Sequence, residues 1–218
     1  MRLRLFAAFL ILAGCGPAAR STPEVMPEVA AELLAIYNAG DHDRLVTLFA
    51  PASAANAKRT RKHLPWIRER LGACEAPEFM WSHGKRRARW SAACERGALE
   101  LDISLDAAGQ VVALTSGAAG VAMPPELHAA AEAVLASLPW AWDTSRPFKH
   151  NLNLHEAIRL GPCTLVRPWV TGPFGALVHV RCVDDQLAVL SIGLGPSGTI
   201  SEANLYPSHK VYRGELDL

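Results

Sequence analysis

A short motif that ends in cysteine occurs twice in this chain, and it constrains the fold more than any other feature. Residues 71–74 (LGAC) recur as residues 160–163 (LGPC), and a second cysteine follows each motif after 20 and 19 residues. After each second cysteine, apolar residues alternate along a strand, and a glycine follows in the next turn, Gly109 in the first copy and Gly198 in the second. Such landmarks in one order predict a duplicated unit of roughly 90 residues.

The repeat also indicates how the cysteines pair. Four of the five cysteines belong to it, namely Cys74, Cys94, Cys163 and Cys182, and four cysteines allow three pairings. If each copy closes its own bridge, the pairs are Cys74–Cys94 and Cys163–Cys182, each stabilising its copy by about 3 kcal/mol in the chain-entropy model. A four-cysteine zinc site is the alternative, but such sites usually bring cysteines together in close CxxC pairs, which this sequence lacks.

The N-terminus has the pattern of an export signal. Two arginines precede an unbroken apolar run over 5–12, which is far shorter than the about 20 residues that span a bilayer. Residues 12–15 (LAGC) then resemble the lipobox of bacterial lipoproteins, in which the cysteine is acylated and becomes the first residue after cleavage. The resemblance implies a signal peptide over 1–14, lipidation of Cys15 and a lipidated, Pro-rich tether over 15–27.

The same resemblance implies a location. A lipid-anchored protein lies in the cell envelope, and Gly16 rather than Asp after the cysteine implies the outer membrane if the host is Gram-negative. Export also exposes the remaining cysteines to an oxidising compartment, where disulfides persist.

Helical patterns precede strand patterns in both halves of the chain. Apolar spacing predicts helices over 28–38 and 125–138, a short helix that ends before Pro51, and a helix that ends at Leu71 and starts late because of Pro65. Period-two alternation predicts six strands, over 88–94, 99–105, 111–115, 176–182, 187–194 and 199–205. Helices followed by an antiparallel meander predict an α+β fold.

The first half resembles a known superfamily. Its sequence, from AELLAIYNAGDHDRLVTLFAP through LGAC to LDISLDAAGQVVAL, is similar to the small exported domains of the nuclear transport factor 2-like, or cystatin-like cone, superfamily. The resemblance covers about residues 28–117 well and 125–206 weakly. It implies two tandem domains, 28–119 and 120–218, each a helical layer on a curved antiparallel sheet with one intradomain disulfide. Because it rests on a pattern rather than on catalytic residues, it supports the fold more than the function.

The sequence contains no motif of a known catalytic class in its required context. Single residues that an enzyme of the superfamily would use are His83, Asp102, His179 and the pair His155 and Glu156. We interpret all of them as surface polar residues, since no partner constellation is visible. We therefore expect a non-enzymatic envelope protein with a binding or assembly role and no catalytic residue, metal or cofactor. The alternative is a small-molecule enzyme of isomerase or hydrolase type that uses a cone pocket.

Positive charge is concentrated in one stretch, although the net charge is only +1. The cations concerned are Lys58, Arg59, Arg61, Lys62, Lys85, Arg86, Arg87 and Arg89. Near a membrane such a cluster can bind anionic lipid or glycan, and a solvated surface is the alternative interpretation. The near-neutral net charge argues against nucleic acid. The expected partners are membrane lipid through Cys15 and an envelope protein or anionic glycan.

Overall fold

A computed structural model describes residues 26–137 and 162–207. The helices are α1 (Met26–Ala39), α2 (Ala54–Leu71) and α3 (Pro125–Ser137), with 3-10 turns at Arg44–Leu48, Pro51–Ser53 and Val183–Asp185. The strands are β1 (Glu78–His83), β2 (Arg87–Cys94), β3 (Gly97–Leu105), β4 (Val111–Ala119), β5 (Thr164–Gly172), β6 (Gly175–Arg181), β7 (Leu187–Leu194) and β8 (Ile200–Pro207). The predicted signal peptide, Cys15, His155 and Glu156 lie outside the described residues.

The first two helices form where apolar residues recur at helical spacing. α1 buries Leu33, Ile36 and Tyr37 and ends just before Gly40, whose φ of +72° is a conformation that favours glycine. The late start predicted for α2 is wrong, because the helix runs through Pro65. Pro65 is exposed, so the helix forgoes one backbone hydrogen bond there without burying an unpaired group.

All eight strands form one antiparallel sheet in sequence order. Side chains alternate across it, so Trp90 opposes Leu101 on one face and Arg89 opposes Asp102 on the other. The three helices pack on the face that carries the apolar residues. Helices followed by an antiparallel meander, the predicted α+β arrangement, are thus confirmed.

Both predicted disulfides are formed. Cys74 is bonded to Cys94 and Cys163 to Cys182. Each bond joins the residues before the first strand of a meander to the end of its second strand, and Cys74 lies directly opposite Cys94 in an isolated antiparallel bridge. The two disulfides therefore occupy equivalent places in the β1–β4 and β5–β8 meanders, as the repeat requires.

The two meanders join into one sheet, where two separate sheets were expected. β4 pairs with β5 through Ala118 with Val170 and Ala119 with Trp169. The join gives hydrogen-bonding partners to two strand edges that would otherwise be open. On the helix face each half keeps its own apolar core, and Trp66 of α2 packs against both.

Candidate functional site

A cleft lies where β4 and β5, the strands that join the two halves of the sheet, separate from each other. The β4–β5 ladder contains only two residue pairs, both at the Ala119 end of β4. A cavity of about 650 Å³ lies beside the unpaired stretch, between α2 and the second meander. It has the size of a small-molecule pocket, for which 300–1,000 Å³ is typical. Side chains from α2, β4, β5, β6, β7 and β8 line it.

Polar residues of α2 take the place of a neighbouring strand along this part of β4. The side-chain oxygen of Asn56 accepts a hydrogen bond from the Leu114 backbone N–H at 3.0 Å. The Thr60 hydroxyl, which is buried, donates to the Leu114 carbonyl at 3.5 Å. Backbone groups at a buried strand edge need partners, so these contacts let β4 separate from β5 without leaving Leu114 unpaired.

The other wall of the cleft approaches α2 closely. A Cβ atom added to Gly172 of β5 would lie 2.7 Å from Nδ1 of His63, closer than real Cβ contacts come. Glycine at this position therefore allows the imidazole to lie against the β5 backbone. α2 is wedged between β4 and β5, with Thr60 facing one strand and His63 facing the other.

The α2 wall of the cleft is basic. Arg59, Lys62 and His63 are three and four residues apart, so they share one side of the helix, and all three line the cavity. Burial lowers the pKa of His63 below 6.5, and the neighbouring charges of Lys62 and Arg59 lower it further. His63 is consequently neutral at pH 7, and the fixed positive charge comes from the other two residues. The acidic residue of the lining is Glu202 on β8, which accepts a hydrogen bond from Asn204 at 2.9 Å.

The opposite wall is largely apolar. Ala176, Ile192 and Leu194 of β6 and β7, which lie on the helix side of the sheet, belong to this wall. Phe174, in the turn between β5 and β6, lines the same cavity and is 49% exposed. Hydroxyl groups, among them that of Thr171, complete the surface between the two walls.

A second polar feature, the charged face, lies on the side of the sheet away from the helices. Arg89 is only 6% exposed, and its guanidinium nitrogens lie 3.7 Å from carboxylate oxygens of both Glu100 and Asp102. Arg87 donates two hydrogen bonds to Asp102 at 3.1 and 3.3 Å. Arg167 of β5 donates to Glu100 at 2.8 Å, so this cluster joins the first meander to the second.

Trp169 covers the charged face at the junction. The guanidinium of Arg89 lies 4.4 Å from the centroid of the Trp169 ring, within the range of a cation–π contact. The ring also lies against Gly117, where an added Cβ would come within 2.6 Å of Trp169 Cε2. Trp169 is 3% exposed as a result, and it helps to exclude water from Arg89.

The structure corrects the interpretation of Asp102. The alternation places it correctly on the face away from the apolar core, but Asp102 is 8% exposed and ion-paired, not a surface residue. His179 lies on the same face, opposite Arg167, and is half-buried. Burial lowers its pKa, and the charges of Arg89 and Arg167 lower it further. His83, at the end of β1, is exposed as expected.

The predicted basic cluster does not form one surface. Arg87 and Arg89 belong to the charged face, where acidic partners neutralise them. Exposed positions in the turn between β1 and β2 are occupied by Lys85 and Arg86. The others, Lys58, Arg59, Arg61 and Lys62, are exposed on α2. The structure therefore pairs two of the eight cations with acidic side chains, and it places two others, Arg59 and Lys62, at the cleft.

Sequence reasoning missed the residues that build the cleft. Thr60 had a usable signal, because it interrupts the otherwise apolar stripe of Ala57, Leu64, Ile67 and Leu71 on the buried side of α2. A polar residue in such a stripe needs a buried partner. Gly172 carried no comparable signal, because its closeness to α2 depends on how distant segments pack.

Comparisons with known proteins do not assign the chain to a family. No protein-family model matches the sequence, and no curated protein matches it. Over residues 26–137 and 162–207, no helix is long and apolar enough to cross a membrane.

Proposed function

We propose that this protein binds a small molecule in the cleft between β4 and β5 while anchored to a membrane of the cell envelope. The observation that carries the proposal is the cavity of about 650 Å³, lined on one wall by cations and on the other by apolar side chains. Pockets that combine apolar surface with a few convergent polar groups are typical of ligand sites.

The lining supports binding more than catalysis. An isomerase or hydrolase needs a general base that is oriented by a second group. Of the possible bases in the lining, His63 makes no hydrogen bond to any other described residue, and Glu202 is hydrogen-bonded to Asn204 rather than to a hydroxyl group or a histidine. Arg59 and Lys62, the neighbours of His63, suit the binding of an anion rather than the abstraction of a proton.

Anchoring is supported by the N-terminal pattern and by the disulfides. Residues 12–15 resemble a lipobox, from which lipidation of Cys15 follows by resemblance. Two disulfides suit an oxidising compartment such as the cell envelope. In a Gram-negative host, we propose the outer membrane as the location, because Gly16 rather than Asp follows Cys15.

We also propose that the two halves are tandem nuclear transport factor 2-like units, 28–119 and 120–218, that share one sheet. The equivalent disulfides support this proposal. So do matched irregularities, because the pairing register shifts between Ser104 and Leu105 in the first meander and between Gly193 and Leu194 in the second.

Binding in the cleft is testable with the neutral fluorescent probe N-phenyl-1-naphthylamine, whose emission rises in an apolar site. We expect saturable binding by the wild-type protein. Thr171→Trp places a large side chain on the cleft wall and should weaken binding by at least about tenfold, which corresponds to about 1.4 kcal/mol. Thr164→Trp is the matched control, because Thr164 is on the same strand but is exposed outside the cleft. The absence of saturable binding, or equal loss in both variants, would contradict the proposal.

A further inference from the structure

We infer, resting on the proposed binding role of the cleft, that its ligand is an amphipathic acid, with its anionic head at Arg59 and Lys62 and its apolar chain along β6 and β7. Three features support this class of ligand: uncompensated charge on one wall, apolar surface on the other, and hydroxyl groups between them.

The charge on the α2 wall is uncompensated, whereas two other cations of the same helix have partners. Arg61 is paired with Asp43 at 2.9 Å, and Arg68 donates to the Asn38 carbonyl at 2.9 Å. Neither Arg59 nor Lys62 has an ion pair or a side-chain hydrogen bond with another described residue. Two cations without partners at the rim of a cavity attract an anion and place it there.

The positive potential of this wall acts inside the cavity as well as at its rim. His63 is half-buried beside these cations, and their charges contribute to lowering its pKa. An anionic head at this wall would offset the same positive potential. Glu202, the acid of the lining, is on β8 and is held by Asn204, so the two sides of the cleft differ in charge.

The apolar wall suits a hydrocarbon chain. Ala176, Ile192 and Leu194 of the helix-side core line it, and Phe174 is half-exposed at the adjoining turn. An exposed aromatic ring beside a cavity loses water-accessible apolar area when a chain packs on it, and burial of apolar area favours binding. A purely polar anion would leave this wall unused.

Displacement of N-phenyl-1-naphthylamine by three compounds of equal chain length tests the inference. Dodecanoate and dodecyl phosphate carry an acid, and dodecanol does not. We expect at least one of the acids to displace the probe at a lower concentration than dodecanol does, and the tighter of the two identifies the head group as carboxylate or phosphate. The advantage of the acid should shrink in high salt, since exposed charges are screened.

Paired variants locate the head group. In the Arg59→Gln/Lys62→Gln variant, we expect the acid to bind about fivefold more weakly, as for two exposed ion pairs, while dodecanol binding stays within about twofold. Lys58→Gln/Arg61→Gln is the matched control, because it removes the same charge from the same helix outside the cleft lining. Equal displacement by dodecanol and both acids, or equal effects of the two double variants, would overturn the inference while the binding role stands. Failure of the wild-type protein to bind the probe or any of the three compounds would overturn both.

Discussion

Gly117→Ala is the most direct test of how the two meanders are held together. The glycine of β4 faces the Trp169 ring, and an added Cβ would lie 2.6 Å from Cε2 of that ring. Gly117 does not have a left-handed backbone, so alanine brings no backbone strain. The methyl group must therefore displace a ring that is 3% exposed and stacked on Arg89.

The expected cost follows from these contacts. Overpacking a well-packed site costs about 1–3 kcal/mol. Weakening a desolvated cation–π contact adds up to about 2 kcal/mol to this cost. Replacing glycine by alanine lowers the conformational entropy of the unfolded chain, which offsets about 0.4–1 kcal/mol of the cost. We expect a net loss of about 3 kcal/mol in the free energy of unfolding. In a chain of 218 residues, 1 kcal/mol corresponds to about 2–4 °C, so Tm should fall by about 6–12 °C.

Urea unfolding followed by circular dichroism measures this loss without relying on tryptophan emission. Gly193→Ala is the matched control, because Gly193 is also a strand glycine with an ordinary backbone, and its added Cβ would meet no atom nearer than 3.5 Å. We expect the stability of this control to stay within about 0.5 kcal/mol of the wild-type value.

A double-mutant cycle separates the steric effect from a general loss of stability. Trp169→Leu removes the ring that the new methyl group would contact, so Gly117→Ala should cost little in that background. The coupling between the two changes should be at least about 1 kcal/mol. Additive effects, or a Gly117→Ala variant as stable as the control, would refute this account of the junction.

Two further predictions concern the anchor and the buried histidines. Cys15→Ser should abolish palmitate labelling and move the protein out of the membrane fraction; label that persists in this variant would exclude Cys15 as the lipidation site. His42, His63 and His179 have a lowered pKa in the folded protein, mainly through burial, so their protonation favours the unfolded chain. Their contribution to stability is complete above pH 6.5 and is lost as the pH falls through the lower folded values, so Tm should drop between pH 7.5 and 5. His179→Asn should make that drop smaller, and a Tm that is constant or rises on acidification would contradict the assignment.

Local patterns determine much of this fold. The Cys74–Cys94 and Cys163–Cys182 pairing follows from two similarly spaced cysteine pairs in a repeat, and the meanders follow from side-chain alternation. Both depend on residues within about 20 positions of one another, whose contacts the backbone period alone largely specifies.

Pro65 shows where a local rule fails. A proline usually marks the start or end of a helix, yet α2 continues through it, because the apolar stripe from Ala57 to Leu71 packs on the sheet along its whole length. Tertiary packing can exceed the cost of one missing hydrogen bond.

Only the tertiary structure decides where the cleft and the charged face lie. Alternation predicts the outer face for Asp102, but the ion-paired cluster to which it belongs also involves Arg167 and Trp169, which lie more than 60 residues away along the chain. The cleft likewise exists because β4 pairs with β5 over only two residues and α2 fills the gap with Asn56 and Thr60. The sequence by itself determines the repeat, the disulfides and the order of helices and strands, because these follow from local spacing. The sites depend on long-range strand pairing and helix packing, which no local period encodes.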